Sequence, residues 1–173
     1  IPQYVIGSKM KVGIIGCGFI GNEIAQFIDK DKNFELIGLN DVDKEKPEFL
    51  IKKLNNKKAK FMAIGQLIKN SDFIIESASR NVIKSILTNK NLDKKGKKLL
   101  IMSTGGLINC LNLLKKIKYC EILLPSGAIA GLDAIKAASG KIESLSLTTT
   151  KPIKGLESSP YVIKNKIDLN ILK

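Results

Sequence analysis

Three observations predict an α/β fold built on a doubly wound parallel sheet. Short β-rich apolar runs alternate with helically spaced apolar residues between residues 11 and 125. The first run, "KVGII" (11–15), opens directly onto Gly16, Gly18 and Gly21, and an acid, Asp41, closes the second. Alternation of this kind builds βαβ units, whose strands lie parallel because each helical crossover returns the chain over one face of the sheet.

Each element follows from its residues. "KVGII" is a continuous apolar run, as a central strand covered on both faces must be. Ile20, Ile24, Phe27 and Ile28 then recur at helical spacing and predict a helix that lies on the sheet by that stripe. "FELIGL" (34–39) is the second strand, ending at "NDVD", and residues 44–54 form a polar helix. "KFMAI" (60–64) is a weak third strand and "DFIIES" (72–77) a strong fourth, followed by a helix over about 79–89 with Val82, Ile83, Ile86 and Leu87 on one face. "KKLLIMS" (97–103) and "CEILLP" (120–125) are strands five and six, separated by a Leu-rich helical stretch at 107–117.

After Pro125 the pattern changes. Residues 126–139 are rich in small residues and helical, and "IESLSLTTTK" (142–151) alternates apolar with hydroxyl residues. That alternation predicts a half-solvated strand of an antiparallel sheet. The predicted organisation is a dinucleotide-binding domain over 10–126 and a partial second unit over 127–173, too small to bury its own core. The unpatterned residues 1–9 precede Met10 and the first strand and are expected to be a leader or tag remnant.

Composition excludes several function classes. No apolar run approaches the roughly 20 residues of a membrane-spanning helix, and nothing resembles a cleavable signal peptide, so no membrane partner and a cytoplasmic location are expected. Cys17, Cys110 and Cys120 are odd in number and lack CxxC spacing, which argues against a disulfide framework and a metal site. The net charge is +13, but 29 basic residues that include one arginine, Arg80, leave 28 lysines spread along the whole chain. Their runs carry no interleaved aromatics, and aromatic residues make up 5%, so no nucleic-acid partner is expected. Histidine, the commonest general base, is absent.

Gly16, Gly18 and Gly21 form GxGxxG between a strand and a helix, with Asp41 twenty residues beyond Gly21. Gly16 permits the tight turn, Gly18 lets backbone approach a pyrophosphate, and Gly21 lets helix and strand come close. Backbone N–H groups of Gly18, Phe19 and Ile20, reinforced by the helix dipole, can hold phosphate oxygens. Asp41 can accept hydrogen bonds from an adenosine ribose diol. Asp43 places a second negative charge where a 2′-phosphate would sit and so favours NAD, while Lys44 and Lys46 keep NADP open. An ordinary helix-start acid is the other reading of Asp43.

In such a sheet the ligand crosses the carboxyl ends of the strands. Those ends read "SAS" (77–79), "STGG" (103–106) and "PSGA" (125–128). Their small side chains admit a ribose and a nicotinamide ring, so Ala78, Ser79, Ser103, Thr104, Gly105 and Ala128 join the candidate cofactor contacts. The competing reading makes Ser77 and Ser79 helix caps and Gly105 and Gly106 a turn. Thr148, Thr149 and Lys151 are weaker candidates for binding substrate carboxylates, with the polar face of a strand as the alternative.

At these residues the sequence resembles the L-aspartate dehydrogenase family. "VGIIGCGFIGNEIA", "IIESAS", "IMSTGGL", "PSGAIAGLDAI" and "LTTTKP" stand in that family's order from about residue 11 to 152, and "SGAIAGLDAI" is the distinctive one. The resemblance implies a Rossmann domain followed by a mixed α+β substrate domain. It also implies NAD(P)-dependent oxidative deamination of L-aspartate through iminoaspartate to oxaloacetate and ammonia, with iminoaspartate feeding NAD biosynthesis. The family's cofactor contacts carry over to the Gly16–Gly21 loop, Asp41 and Ala128. Its catalytic histidine, and an asparagine that contacts the cofactor, belong to a region beyond Lys173, so no catalytic residue is assigned within this chain. Lysine, with an ordinary pKa of about 10.4, is no ready substitute as base. The 173 residues are therefore expected to be a fragment inactive alone, and the strand edges of an incomplete second unit point to a homo-oligomer. The alternatives are a non-catalytic NAD-binding module, or another Rossmann enzyme of the homoserine dehydrogenase or dihydrodipicolinate reductase type.

Overall fold

The computed structural model describes residues 9–56, 58–126, 132–148, 150, 152–157 and 159–172. The chain divides into two compact units, residues 1–128 and 129–173.

The first unit carries a six-stranded sheet, β1 (Met10–Ile15), β2 (Phe34–Asn40), β3 (Lys60–Phe61), β4 (Phe73–Glu76), β5 (Lys98–Ile101) and β6 (Glu121–Leu123). Spatial order is β3-β2-β1-β4-β5-β6 and every pairing is parallel. The connections run outward from β1 in one direction and from β4 in the other, which leaves a crevice above the adjacent ends of β1 and β4.

Side-chain alternation along the strands divides the core into two layers. Val12, Ile14, Leu36, Leu39 and Ile75 pack with Ala25 and Ile28 of helix α1 (Phe19–Lys30) and Leu50 of α2 (Glu45–Lys53). Ile15, Ile74, Leu99 and Ile101 pack on the other face. Their partners there are Leu67 and Ile68 of α3 (Ile64–Asn70), and Ile83, Ile86 and Leu87 of α4 (Ile83–Leu87). Leu107 and Cys110 complete that layer from a 3₁₀ segment, Thr104–Cys110, which leads into α5 (Leu111–Leu114). Leu36 and Leu39 share a face, although three residues apart, because the pairing with β1 skips Ile37: Val12 faces Leu36 and Gly13 faces Gly38.

Three local expectations need correction. Helix α1 meets the sheet through Gly21, Ala25 and Ile28, with Ile24 partly buried, whereas Ile20 and Phe27 are 48% and 65% exposed. The close approach at Gly21 puts Gly21 and Ala25 on the buried face beside Ile24 and Ile28, so only half of the expected stripe faces the sheet. The run 60–64 supplies only a two-residue strand, because Ile64, Leu67 and Ile68 carry helical spacing and begin α3.

The third correction lies in the second unit, which by itself contains α6 (Leu132–Ala137), α7 (Pro160–Lys164) and two 3₁₀ turns. Among the described residues it has no strand; 142–148 are irregular, and Leu145 and Leu147 are 66% and 63% exposed. Period-two alternation makes a strand only where a partner strand accepts its N–H and C=O groups. The strand edge that pointed to a homo-oligomer is therefore absent from the described residues.

Candidate functional site

Gly16 adopts φ +99°, in the left-handed region, and a Cβ there would lie 2.5 Å from the Ala78 nitrogen. A Cβ on Gly21 would overlap the Gly16 carbonyl oxygen and stand 2.9 Å from Ser77 Oγ. Gly18 is different: nothing lies within 4 Å of where its Cβ would be. Two glycines thus serve packing within the protein, and the third leaves open space beside the loop.

Gly18 also precedes α1 without any side-chain cap, and the helix has no acid in its first turn. The N–H groups of that turn have no intrahelical acceptor, and together with the dipole they form a receptor for an anion. The side chains of Phe19 and Ile20 are exposed.

Neighbouring strands hold the loop. Gly16 N–H donates to Asn40 O (2.7 Å) and Cys17 N–H to Asp41 Oδ2 (2.7 Å), while Asp41 Oδ1 accepts the N–H of Asp43 (3.0 Å). Ser77 Oγ donates to Gly16 O at 2.9 Å from the β4 side. Burial, reinforced by the Asp41 carboxylate and opposed by Lys46, pushes the Cys17 thiol up to about 12.

These residues open onto a cleft of about 580 Å³ lined by Gly16, Gly18, Asp41, Ala78 and Ser79, together with Val42, Lys46, Asn81 and Ser85. Five candidates from the sequence are thereby gathered at one place. Asp43 stands at the start of α2, accepting the Glu45 N–H at 3.1 Å and pairing with Lys46 at 3.8 Å, as a helix-start acid does.

Ser103 joins the site through a residue that sequence reasoning missed. Glu76 ends β4 with 0% exposure; its Oε1 accepts Ala78 N–H and Ser103 Oγ–H, and its Oε2 accepts Ser103 N–H, all at 2.9 Å. Thr104 and Gly105 are exposed, and Gly105 lines a second cleft of about 630 Å³ with Arg80, Asn81, Lys84 and Asn109. Thr148 is exposed in the second unit; Ala128, Thr149 and Lys151 lie outside the described residues. Among the described residues no cluster of His, Cys, Asp or Glu could hold a metal, and no helix is long and apolar enough to cross a membrane.

Of the residues not foreseen, Glu76 had a legible signal: a carboxylate ending an apolar strand must find donors if it is buried. Val42, Asn81 and Ser85 had none, because the crevice between β2 and α4 exists only after folding, whereas Lys46, expected near a 2′-phosphate, does line the cleft.

Residues 16–121 match the family described as homoserine dehydrogenase, NAD binding domain. An L-aspartate dehydrogenase of Methanosarcina mazei is 39% identical over 171 residues, covering 95% of this chain and 62% of that protein. Another, from Bradyrhizobium diazoefficiens, is 32% identical over 169 residues, covering 96% of this chain and 59% of that one. The chain thus spans about three-fifths of the length of these relatives. Among solved structures, a Lactobacillus casei myo-inositol dehydrogenase in complex with NAD(H) and myo-inositol superposes with TM-score 0.58 at 19% identity, covering 75% of this chain and 41% of that one. GenD2 from gentamicin A biosynthesis, in complex with NAD, superposes with TM-score 0.52 at 14% identity, covering 82% and 42%. These two likenesses show the fold, a Rossmann-type α/β sheet. The chain belongs to the homoserine dehydrogenase, NAD-binding domain family and is a homologue of the L-aspartate dehydrogenases.

Proposed function

We propose that this chain is the cofactor-binding part of an NAD-dependent L-aspartate dehydrogenase. The overall reaction is L-aspartate, NAD⁺ and water giving oxaloacetate, ammonium, NADH and a proton, through iminoaspartate, which can also feed NAD biosynthesis. The observation that carries the reading is the open space at Gly18 above an uncapped helix start, with Asp41 strapping the loop from the next strand. Those groups fit a dinucleotide: the N–H groups of Gly18, Phe19 and Ile20 would take the diphosphate, Asp41 the adenosine ribose, and the loops at Ala78–Ser79 and Ser103–Gly105 the nicotinamide half. When bound, the nicotinamide supplies the hydride acceptor. The protein's residues orient and enclose; the chain has no histidine to take the amine proton.

NAD is preferred to NADP because the Asp41 carboxylate in the cleft would repel a 2′-phosphate, although Lys46 lines the same cleft and Asp43, the second acid expected there, stands at the start of α2 paired with it. Small-molecule substrate and cytoplasmic location complete the proposal, with Thr148, Thr149 and Lys151 as candidate substrate contacts. Titration of the 173-residue chain with NADH and NADPH tests the first step: tighter binding of NADH is expected, and no binding of either would overturn the reading. No turnover of L-aspartate by this chain is expected.

A second reading is favoured by the family description itself, which names homoserine dehydrogenase. Assaying the intact protein with NAD and either L-aspartate or L-homoserine separates the two. Reduction of NAD with homoserine alone would replace the first reading with the second.

A further inference from the structure

Glu76 is a buried carboxylate at the end of a strand whose other residues, Phe73, Ile74 and Ile75, are apolar. Burial of a charge costs several kcal/mol unless its oxygens find donors. Here both oxygens are satisfied, and all three donors belong to the loops that leave β4 and β5: Ala78 N–H, Ser103 N–H and Ser103 Oγ–H.

The sheet does not require these bonds. Strands β4 and β5 are already paired from Phe73 with Lys98 to Glu76 with Ile101, and Met102 N–H continues the ladder to Glu76 O at 3.0 Å. What the side chain adds begins where the ladder stops. On one side it fixes Ala78, whose backbone sits so close to Gly16 that a Cβ there would lie 2.5 Å from the Ala78 nitrogen. On the other side it fixes Ser103, the first residue of the "STGG" loop. A single carboxylate therefore relates the glycine loop to the edge of β5.

We propose that Glu76 is a positioning residue that sets the distance between the diphosphate-binding loop and the loop receiving the nicotinamide half. This rests on the dinucleotide reading above. Replacement by glutamine conserves volume but brings one NH₂ group among three donors. The amide keeps most bonds by placing its oxygen where Oε1 stands, toward Ala78 N–H and Ser103 Oγ–H, and its nitrogen where Oε2 stands. Ser103 N–H then has no acceptor, and the disturbance falls on the β5 side alone.

The test compares NADH with ADP-ribose, which lacks the nicotinamide ring, by calorimetric titration of the wild-type chain, Glu76→Gln and Ser103→Ala. In Glu76→Gln the Kd for NADH is expected to rise about tenfold, the scale of one hydrogen bond to a charged group, while that for ADP-ribose changes less than about twofold. Ser103→Ala, which removes only the hydroxyl bond, should show a smaller shift with the same selectivity. Equal weakening of both ligands would mean a purely structural role and overturn the proposal, as would no change in either. Should Glu76→Gln fail to fold by circular dichroism, Glu76→Asp, which keeps the charge but shortens its reach to Ser103, is titrated in its place, and the same selective or equal weakening decides. If the wild-type chain binds neither ligand, the dinucleotide reading itself fails, an outcome distinct from an unselective Glu76→Gln.

Discussion

The backbone N–H of Cys17 donates to Oδ2 of Asp41 at 2.7 Å, so the acid at the end of β2 holds the glycine loop as well as facing the cleft beside it. Asp41→Ala removes both the strap and the proposed ribose acceptor. A hydrogen bond to a charged group contributes about 1.5–3 kcal/mol, so NADH affinity is expected to fall about 10- to 100-fold. Fluorescence titration measures this; an unchanged Kd would remove Asp41 from the site.

Gly18 and Gly21 respond oppositely to the same substitution. Gly21→Ala drives a methyl group into the Gly16 carbonyl, so the loop or α1 must shift, and overpacking of this kind typically costs about 1–3 kcal/mol. Gly18→Ala meets no protein atom and should leave the urea midpoint near wild type while weakening NADH binding. The converse pattern, stability lost at Gly18 and affinity untouched, would contradict the assignment of the open space to a ligand.

The buried Cys17 thiol, pushed up to about 12 by burial and by Asp41, presents almost no thiolate at neutral pH. Iodoacetamide at pH 7.5 should leave the peptide containing Cys17 unmodified in the folded chain and label it in urea. Rapid labelling of the native protein would show that the loop opens to solvent.

Two charged groups each make stability rise with pH, in separate windows. The Asp93 carboxylate accepts N–H bonds from Tyr119, Cys120 and Lys118, and the Tyr119 bond foremost holds it below the ordinary aspartate range. Its contribution is present above the unfolded value, about 3.9, and is lost as pH falls through the lower folded one. Lys97 donates to the carbonyls of Ile68 and Ser71, closing the end of α3, and burial lowers its pKa. Unfolded chains then bind more protons between the folded value and about 10.4, so stability rises with pH across that window. Urea midpoints against pH should lose the acid-side slope in Asp93→Asn and the alkaline-side rise in Lys97→Met. Unaltered slopes would show that other groups govern both limbs.

Much of the first unit was legible in local sequence. Continuous apolar runs marked β1, β4 and β5 because strands covered on both faces admit few polar residues, and the glycine spacing together with Asp41 located the loop. The terminal alternation at 142–148 misled, since a period of two predicts a strand only when another strand is there to pair with it. The α1 stripe misled for a related reason: Gly21 lets the helix approach so closely that Ala25, not Phe27, faces the sheet.

The sequence by itself determined the order of strands and helices, the parallel sheet and the position of the glycine loop, since these follow from periodicity and from where the backbone needs room. Only the tertiary structure decided that Lys46 and Ser85 share a cleft with Gly18, and that Glu76 reaches across to Ser103, 27 residues away in the chain. Such relationships depend on which strand ends become neighbours, and that is set by sheet order, a property of the folded chain that no local pattern encodes.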